Sequence, residues 1–395
     1  MFPTLSYLIK YLTGLTIPLP IPTFGVLMCT AFIVAYNLFK SEFKRKEKIG
    51  ILHPIIITTK EKKSFFRILF INTLIAFIIG YKLVYVLMHA GMFAANPQAI
   101  LLSISGSWTG GFSAAVIVVC YTVYQHQKQF KGVIDQSTTI TKTIHPYQLC
   151  DQLLFWCGVG GFTGTMLFAK LDYLPEIIAN PSRELFAYHG MVFFGALIGG
   201  ATGYFIVLAQ YGIGFLVGAD VGCPGMMAAY CIGRLGCHLS GDGDWGIVNK
   251  LSKPIWLSWL PESWWKNSYP HNVIHEGLLM KDCTDNYCNV LPAPVFPTSL
   301  YEFCICIFLF IFLWSIRKYL QKSGALFFVY ITVFGIERYF IEFIRINPKY
   351  CFLQLCLSQA QWTSLAFIVA GITGLLILFL RRNPLVIGEG KSAQK

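Results

Sequence analysis

Charge is what this sequence has least of. Only 13% of its 395 residues are Asp, Glu, Lys or Arg, against about 25% in soluble globular domains. That deficit excludes a soluble enzyme, a solvated disordered tail and a nucleic-acid module. The 31 Lys and Arg outnumber the 19 acidic residues, but this imbalance is small over such a length and points to no nucleic acid. Also missing are His or Cys pairs at zinc-ligand spacing and a glycine-rich phosphate loop after a strand. No metal and no cofactor is therefore expected. The first twenty residues lack a basic start and a small-residue cleavage site, so they read as an interfacial segment and not as a signal peptide.

Apolar side chains fill the gap: 55% of residues are hydrophobic and 16% aromatic. A bilayer core about 30 Å thick is crossed by about 20 apolar residues in helical form. Nine stretches meet that test, at about 22–40, 66–88, 107–125, 150–170, 187–209, 214–236, 298–316, 324–344 and 359–380. The expected fold is an all-α, polytopic membrane helix bundle, a single integral domain over 1–395. Its orientation follows from the basic residues, which gather on the cytoplasmic side. Lys40, Lys44, Arg45, Lys46, Lys48, Lys60, Lys62, Lys63 and Arg67 lie between the first two stretches. Lys128, Lys131 and Lys142 follow the third, Arg317 and Lys318 the seventh, and Arg381 and Arg382 the ninth. With nine crossings all of these share one side, which puts the N-terminus outside and the C-terminus in the cytoplasm.

The outer side then holds the long polar stretch 241–297, with Trp256, Trp259, Trp264 and Trp265. Tryptophan favours the headgroup region, so this stretch is expected to be an external insertion lying on the membrane surface. Most of the thirteen cysteines sit in apolar runs as small hydrophobes. Cys283 with Cys288, and Cys351 with Cys356, can pair only where their side of the membrane is oxidising. There is also a weak internal echo. Gly80 to Tyr85 followed by Gly110-Gly111 is echoed by Phe168 to Tyr173, including Lys170, followed by Gly199-Gly200. It reads as chance likeness of apolar helices or as an old duplication of a helix pair.

Ionisable groups at membrane depth are expensive and point to function. The sixth stretch ends in Gly233-Arg234-Leu235-Gly236-Cys237-His238-Leu239-Ser240-Gly241-Asp242-Gly243-Asp244-Trp245-Gly246. A guanidinium there can hold a phosphate at two oxygens, glycines such as Gly236 and Gly246 let backbone approach a ligand, and His238 can exchange protons near neutral pH. In the eighth stretch Arg338, Glu342 and Arg345 recur at helical spacing on one face. The seventh opens with Phe296-Pro297-Thr298-Ser299-Leu300-Tyr301-Glu302, where Glu302 enters the membrane and needs a partner. Arg234 and Arg338 are the natural candidates.

These stretches resemble the phosphatidylglycerol–prolipoprotein diacylglyceryl transferases. Gly233 to Gly246 looks like that family's signature, and Phe296 to Glu302 is similar to its His-Pro-x-Gln-Leu-Tyr-Glu helix start. Phe334 to Arg345 resembles its Tyr-Gly-x-x-Arg-x-x-x-Glu-x-x-Arg helix, and Met191 to Gly199 its Phe-His-Gly-Gly-Leu-Ile-Gly segment. Thr23 to Met28 resembles its Trp-Tyr-Gly-Leu-Met motif. Only about 45–145 lacks a counterpart and looks like an inserted helix pair. The resemblance implies an inner-membrane enzyme with its active site at the outer leaflet. Its implied partners are phosphatidylglycerol, prolipoprotein signal peptides and the lipid bilayer. Diacylglycerol would pass to a lipobox cysteine as a thioether, with release of glycerol phosphate.

On that reading Arg234 and Arg338 bind the donor phosphate, with Gly236, Gly246, Tyr301, Lys170, Glu342 and Arg345 as further substrate-binding residues. Asp242 or Asp244 replaces the signature glutamate, and Glu302 orients an arginine. The family's histidine is Phe194 here, and its signature asparagines are Cys237 and Ser240. His238 and His189 therefore stand as replacement bases. Two other readings remain: a non-catalytic lipid- or lipoprotein-binding protein that keeps the arginines, and a small-solute transporter.

Overall fold

In the computed structural model, residues 1–380 are described apart from 16, 18, 20, 90, 91, 93–99, 101, 102, 131–138, 181–191, 282, 284, 353 and 354. The helices are α1 (Leu5–Thr13), α2 (Thr23–Lys48), α3 (Glu61–Met88), α4 (Trp108–Phe130), α5 (Cys150–Asp172) and α6 (Leu174–Ala179). They continue with α7 (Phe193–Gln210), α8 (Phe215–Ser240), α9 (Thr298–Ile316), α10 (Ala325–Ile341) and α11 (Gln359–Leu380). Short strands β1 (Ile55–Lys60), β2 (Thr139–Ile144), β3 (Leu278–Leu279), β4 (Asn289–Val290), β5 (Lys349–Phe352) and β6 (Leu355–Ser358) pair as three antiparallel ladders.

A helix forms in each of the nine apolar stretches. Among the described residues six helices are long and apolar enough to cross a bilayer: Thr23–Lys48, Leu69–Met88, Pro146–Leu171, Phe215–Ser240, Thr298–Ile316 and Gln359–Leu380. Phe194–Gln210 is apolar but shorter. The chain divides into two compact units. One comprises Met1–Leu52, Pro146–Leu154 and, among the described residues, 205–380; the other comprises His53–His145 and Phe155–Tyr204.

The first unit is built around α8. This helix is apolar on most sides and two-thirds buried, as expected of a central helix. Met227, Cys223 and Cys231 on α8 pack with Cys306 and Leu313 of α9 and Leu326 of α10. Pro224 lies inside α8 and removes one backbone donor. The Cys223 thiol donates to the Asp220 carbonyl oxygen that the proline leaves free, at 3.5 Å.

The first basic residues after the first apolar stretch continue its helix. α2 continues to Lys48, with Glu42, Phe43 and Lys46 buried along it. Lys46 pairs with Asp220 at 3.3 Å, and both side chains are 1% exposed or less. Asp220 also accepts from the backbone N–H groups of Gly324 at 2.8 Å and Phe327 at 2.9 Å, capping the start of α10. Glu42 holds Arg317 at 2.5 Å and Arg45 at 2.9 Å. Beyond α2, in the second unit, β1 pairs with β2 from Ile55 opposite Ile144 to Lys60 opposite Thr139.

The described residues of 241–297 form a cap within the first unit. Trp245, Tyr269, Leu291 and Val295 form its apolar core, with Met1 packed against them. Asn272 is fully buried; its amide donates to the carbonyls of Tyr269, Glu276 and Asn289 at 3.0–3.2 Å, and its Oδ1 accepts from the Glu276 N–H. Disulfides join Cys283 to Cys288 within the cap and Cys351 to Cys356 across the β5–β6 hairpin.

In the second unit small residues set the helix crossings. A Cβ at Gly80 would lie 2.4 Å from the Gly110 carbonyl oxygen, so α3 and α4 touch through backbone. α5 and α7 meet the same way, with a Cβ at Gly160 falling 2.3 Å from the Gly199 carbonyl. Both arms of the sequence echo therefore pair their helices through facing glycines.

Candidate active site

The site is assembled at the end of α8 from three separate segments. α8 stops at Ser240, where Gly241 takes the left-handed conformation at φ 67°, one that costs a Cβ-bearing residue energy. The chain turns back over the helix end and Gly246 forms an antiparallel bridge with Arg345. A Cβ at Gly246 would lie 2.4 Å from the Ile344 carbonyl oxygen. Glycine is thus required here for the segment after α10 to come close. The first turn of α9 fixes the loop: Thr298 and Ser299 donate their hydroxyls to the Asp244 carbonyl at 2.8 and 2.5 Å.

Three arginines converge on these carboxylates. Glu302 forms ion pairs with Arg234 Nε at 2.7 Å on one oxygen, and with Arg338 at 2.5 Å and Arg345 at 3.5 Å on the other. Asp244 bridges Arg234 and Arg345, one oxygen to each. Glu342 lies 3.4 Å from Arg338 and 3.9 Å from Arg345, and accepts the Asn347 amide at 2.5 Å. The Arg234 guanidinium also stacks over the Tyr230 ring at 4.9 Å.

Exposure is uneven across this network. The Glu302 and Glu342 side chains are 0% and 1% exposed, whereas Asp244 is 32% exposed. Asp244, which pairs with Arg234 and Arg345, is thus the most exposed carboxylate of the network. Burial alone would raise the Asp244 carboxyl, but Arg234 and Arg345 outweigh it and lower it to about 2. Asp242 behaves differently: burial pushes its carboxyl up, against a hydrogen bond from the Cys237 thiol, and the Asp244 charge pushes it further.

Cys237, Asp242 and Asp244 bring their ligand atoms within 4.8 Å of one another, a trio with metal-binding chemistry. Both Asp244 oxygens, however, already hold guanidinium groups. The residues present fit an anion better than a cation.

The sequence candidates separate clearly. Arg234, Asp244, Glu302, Arg338, Glu342 and Arg345 come together in one network, and Asp242 stands beside it. His238 does not join them; it is buried with its Nδ1 3.1 Å from the Tyr269 hydroxyl, in the core of the cap. Tyr301 donates to the Trp265 carbonyl at 3.2 Å and so ties α9 to the cap. Gly236 packs α8 against α2, where its Cβ would lie 3.0 Å from the Phe24 ring. Lys170 lies near the end of α5 in the second unit. His189 lies outside the described residues. Sequence reasoning missed Thr298 and Ser299 as the hydroxyls that fix Asp244, although both fall within the motif that opens α9.

Helices able to span a bilayer, with a paired arginine–carboxylate network at one helix end, define a membrane protein whose polar site sits at the edge of an apolar bundle. The profile of the prolipoprotein diacylglyceryl transferase family matches residues 11–143 and 132–377. A phosphatidylglycerol–prolipoprotein diacylglyceryl transferase of Neisseria meningitidis is 30% identical over 243 residues, 59% of this chain and 81% of the relative. Enzymes of the same name are 28% identical in Clostridium tetani, over 54% of this chain and 74% of theirs, and 26% identical in Staphylococcus aureus, over 73% and 91%. The chain belongs to the prolipoprotein diacylglyceryl transferase family.

Proposed function

We propose that the chain transfers the diacylglyceryl group of phosphatidylglycerol to the lipobox cysteine of a prolipoprotein signal peptide. The thiolate sulfur attacks the glyceryl carbon that carries the phosphate. A C–S bond forms as the C–O bond breaks, and glycerol phosphate leaves with the electron pair. The observation that carries this reading is Asp244, which holds Arg234 and Arg345 by one oxygen each and is the most exposed member of the network. A phosphodiester offers the same two-oxygen geometry. It would displace Asp244 while Glu302 keeps the guanidinium groups in position. The arginines then stabilise charge that develops on the leaving phosphate oxygens.

The thiol proton goes to Asp242. Its half-buried carboxyl is raised by burial and by the Asp244 charge, a shift in the direction that favours a base. Asp242→Asn is expected to lower transfer to a lipobox peptide by about a hundredfold or more, with much less effect from His238→Gln. The assay uses purified protein and labelled phosphatidylglycerol at equal expression and thermal stability. The reverse ranking would move the base to His238.

The reading extends to topology: nine spans in one transferase domain, N-terminus outside, C-terminus cytoplasmic, and the site at the outer leaflet of the inner membrane. Two disulfides near that face support an oxidising compartment. Ile255, Trp256 and Trp259 are 91%, 73% and 77% exposed, as suits a cap that lies on lipid. Within that domain 45–145, which carries α3 and α4, is the additional helix pair. A cysteine placed at exposed Asn286 on a cysteine-depleted background should react with an impermeant thiol reagent in intact cells. Protection there until the cells are opened would reverse the topology.

A further inference from the structure

Two buried polar groups beneath the arginines take no part in the network. Glu337 on α10 is 6% exposed, and among the described residues neither of its carboxyl oxygens has a hydrogen-bond partner. Tyr230 on α8 supports Arg234 with its ring and meets Phe334 of α10 edge-on at 5.2 Å. Its hydroxyl is likewise buried and without a partner among the described residues. Glu337 follows Phe334 by three residues and so lies on the same face of α10 that meets Tyr230. Arg345 and, on α9, Cys306 interact electrostatically with Glu337.

Native structures satisfy nearly all buried polar groups, so two orphans in one place ask for a partner that arrives with a ligand. A buried carboxyl without a partner is held neutral, so both groups donate, and the partner must be an acceptor able to enter an apolar bundle while a phosphate sits on the arginines. Tyr230 lies four residues before Arg234, which is about 6 Å along the helix. In a glycerophospholipid the groups a few ångströms below the phosphate are the ester carbonyls. A carbonyl oxygen accepts two hydrogen bonds, while a tyrosine hydroxyl and a neutral carboxyl each offer one.

We propose that Tyr230 and Glu337 form a subsite for an ester carbonyl of the donor lipid, one layer below the phosphate site. This rests on the transfer function proposed above. It makes the chain selective for diacyl over dialkyl donors, beyond recognition of the headgroup. Glu337 stands at a position that the family's late-helix pattern leaves open, so this selectivity belongs to this chain's own residues.

The test compares phosphatidylglycerol with its dialkyl ether analogue of equal chain length in the purified full-length protein. The reacting bond is the same in both lipids, and only the carbonyls differ. The wild type should favour the diester by about five- to tenfold in kcat/KM, the worth of one or two hydrogen bonds. Tyr230→Phe and Glu337→Leu should each lower that ratio toward one, because diester turnover falls more than diether turnover. Glu337→Gln, which keeps a donor, should preserve most of the preference. Tyr230→Phe removes only a hydroxyl, so it reports even if Glu337→Leu fails to fold. Equal use of both lipids by the wild type, or an unchanged ratio in Tyr230→Phe and Glu337→Leu, would overturn the subsite alone. Transfer from neither lipid would overturn the function, and the subsite with it.

Discussion

Arg234→Lys is expected to lower diacylglyceryl transfer about a hundred- to thousandfold. Arg234 spans two carboxylates at once, Glu302 through Nε and Asp244 through a terminal nitrogen. An ammonium keeps the charge but is a point donor and cannot bridge both, nor hold two phosphate oxygens in a plane. Loss of one preorganised contact to a developing anion costs about 3–4 kcal/mol in the transition state. The Tyr230 ring lies under the guanidinium as a further planar partner that lysine meets less well. Turnover of purified protein, after thermal melts confirm folding, is the measurement. Near-normal turnover in Arg234→Lys would mean that the arginine only anchors a helix end at the headgroup level.

Glu302→Ala should be the most destabilising single change in the site. Its fully buried carboxylate lies among Arg234, Arg338 and Arg345. Removing one partner of a buried ion pair costs about 3–5 kcal/mol, because the remaining charges stay buried without compensation. Glu302→Gln keeps the shape and removes the charge, so it should lose somewhat less stability and still lose activity as the guanidinium groups drift. Unfolding in detergent, followed by thermal melt beside the wild type, checks both. A Glu302→Ala protein as stable as wild type would mean that solvent or lipid already compensates the arginines.

The helices were legible because burial in a bilayer is written as length and hydropathy, and each apolar stretch contains a helix. The arginine–Glu302 pairing was legible for a related reason. A carboxylate that enters the membrane must find a cation, and few were within reach. Asp244 as the bridge between Arg234 and Arg345 was not legible, since it depends on the chain turning back at Gly241 and on Gly246 meeting the segment after α10. The Lys46–Asp220 pair joins residues 174 apart in sequence, and local pattern carries no such distance. The β1–β2 ladder did leave a signal. Ile55 to Thr59 and Thr138 to Ile144 are β-branched at nearly every position. His238 drew notice for its chemistry, whereas burial against Tyr269 decides its place.

The most direct test of the central claim is expression of the chain in a bacterium depleted of its own diacylglyceryl transferase, with a reporter prolipoprotein followed by gel mobility. The wild-type chain should restore the lipid-modified form, and Arg234→Lys at equal membrane abundance should not. A reporter that stays unmodified while the wild-type chain is folded in the membrane would contradict the assignment and leave the arginine network as a binding site without transfer chemistry.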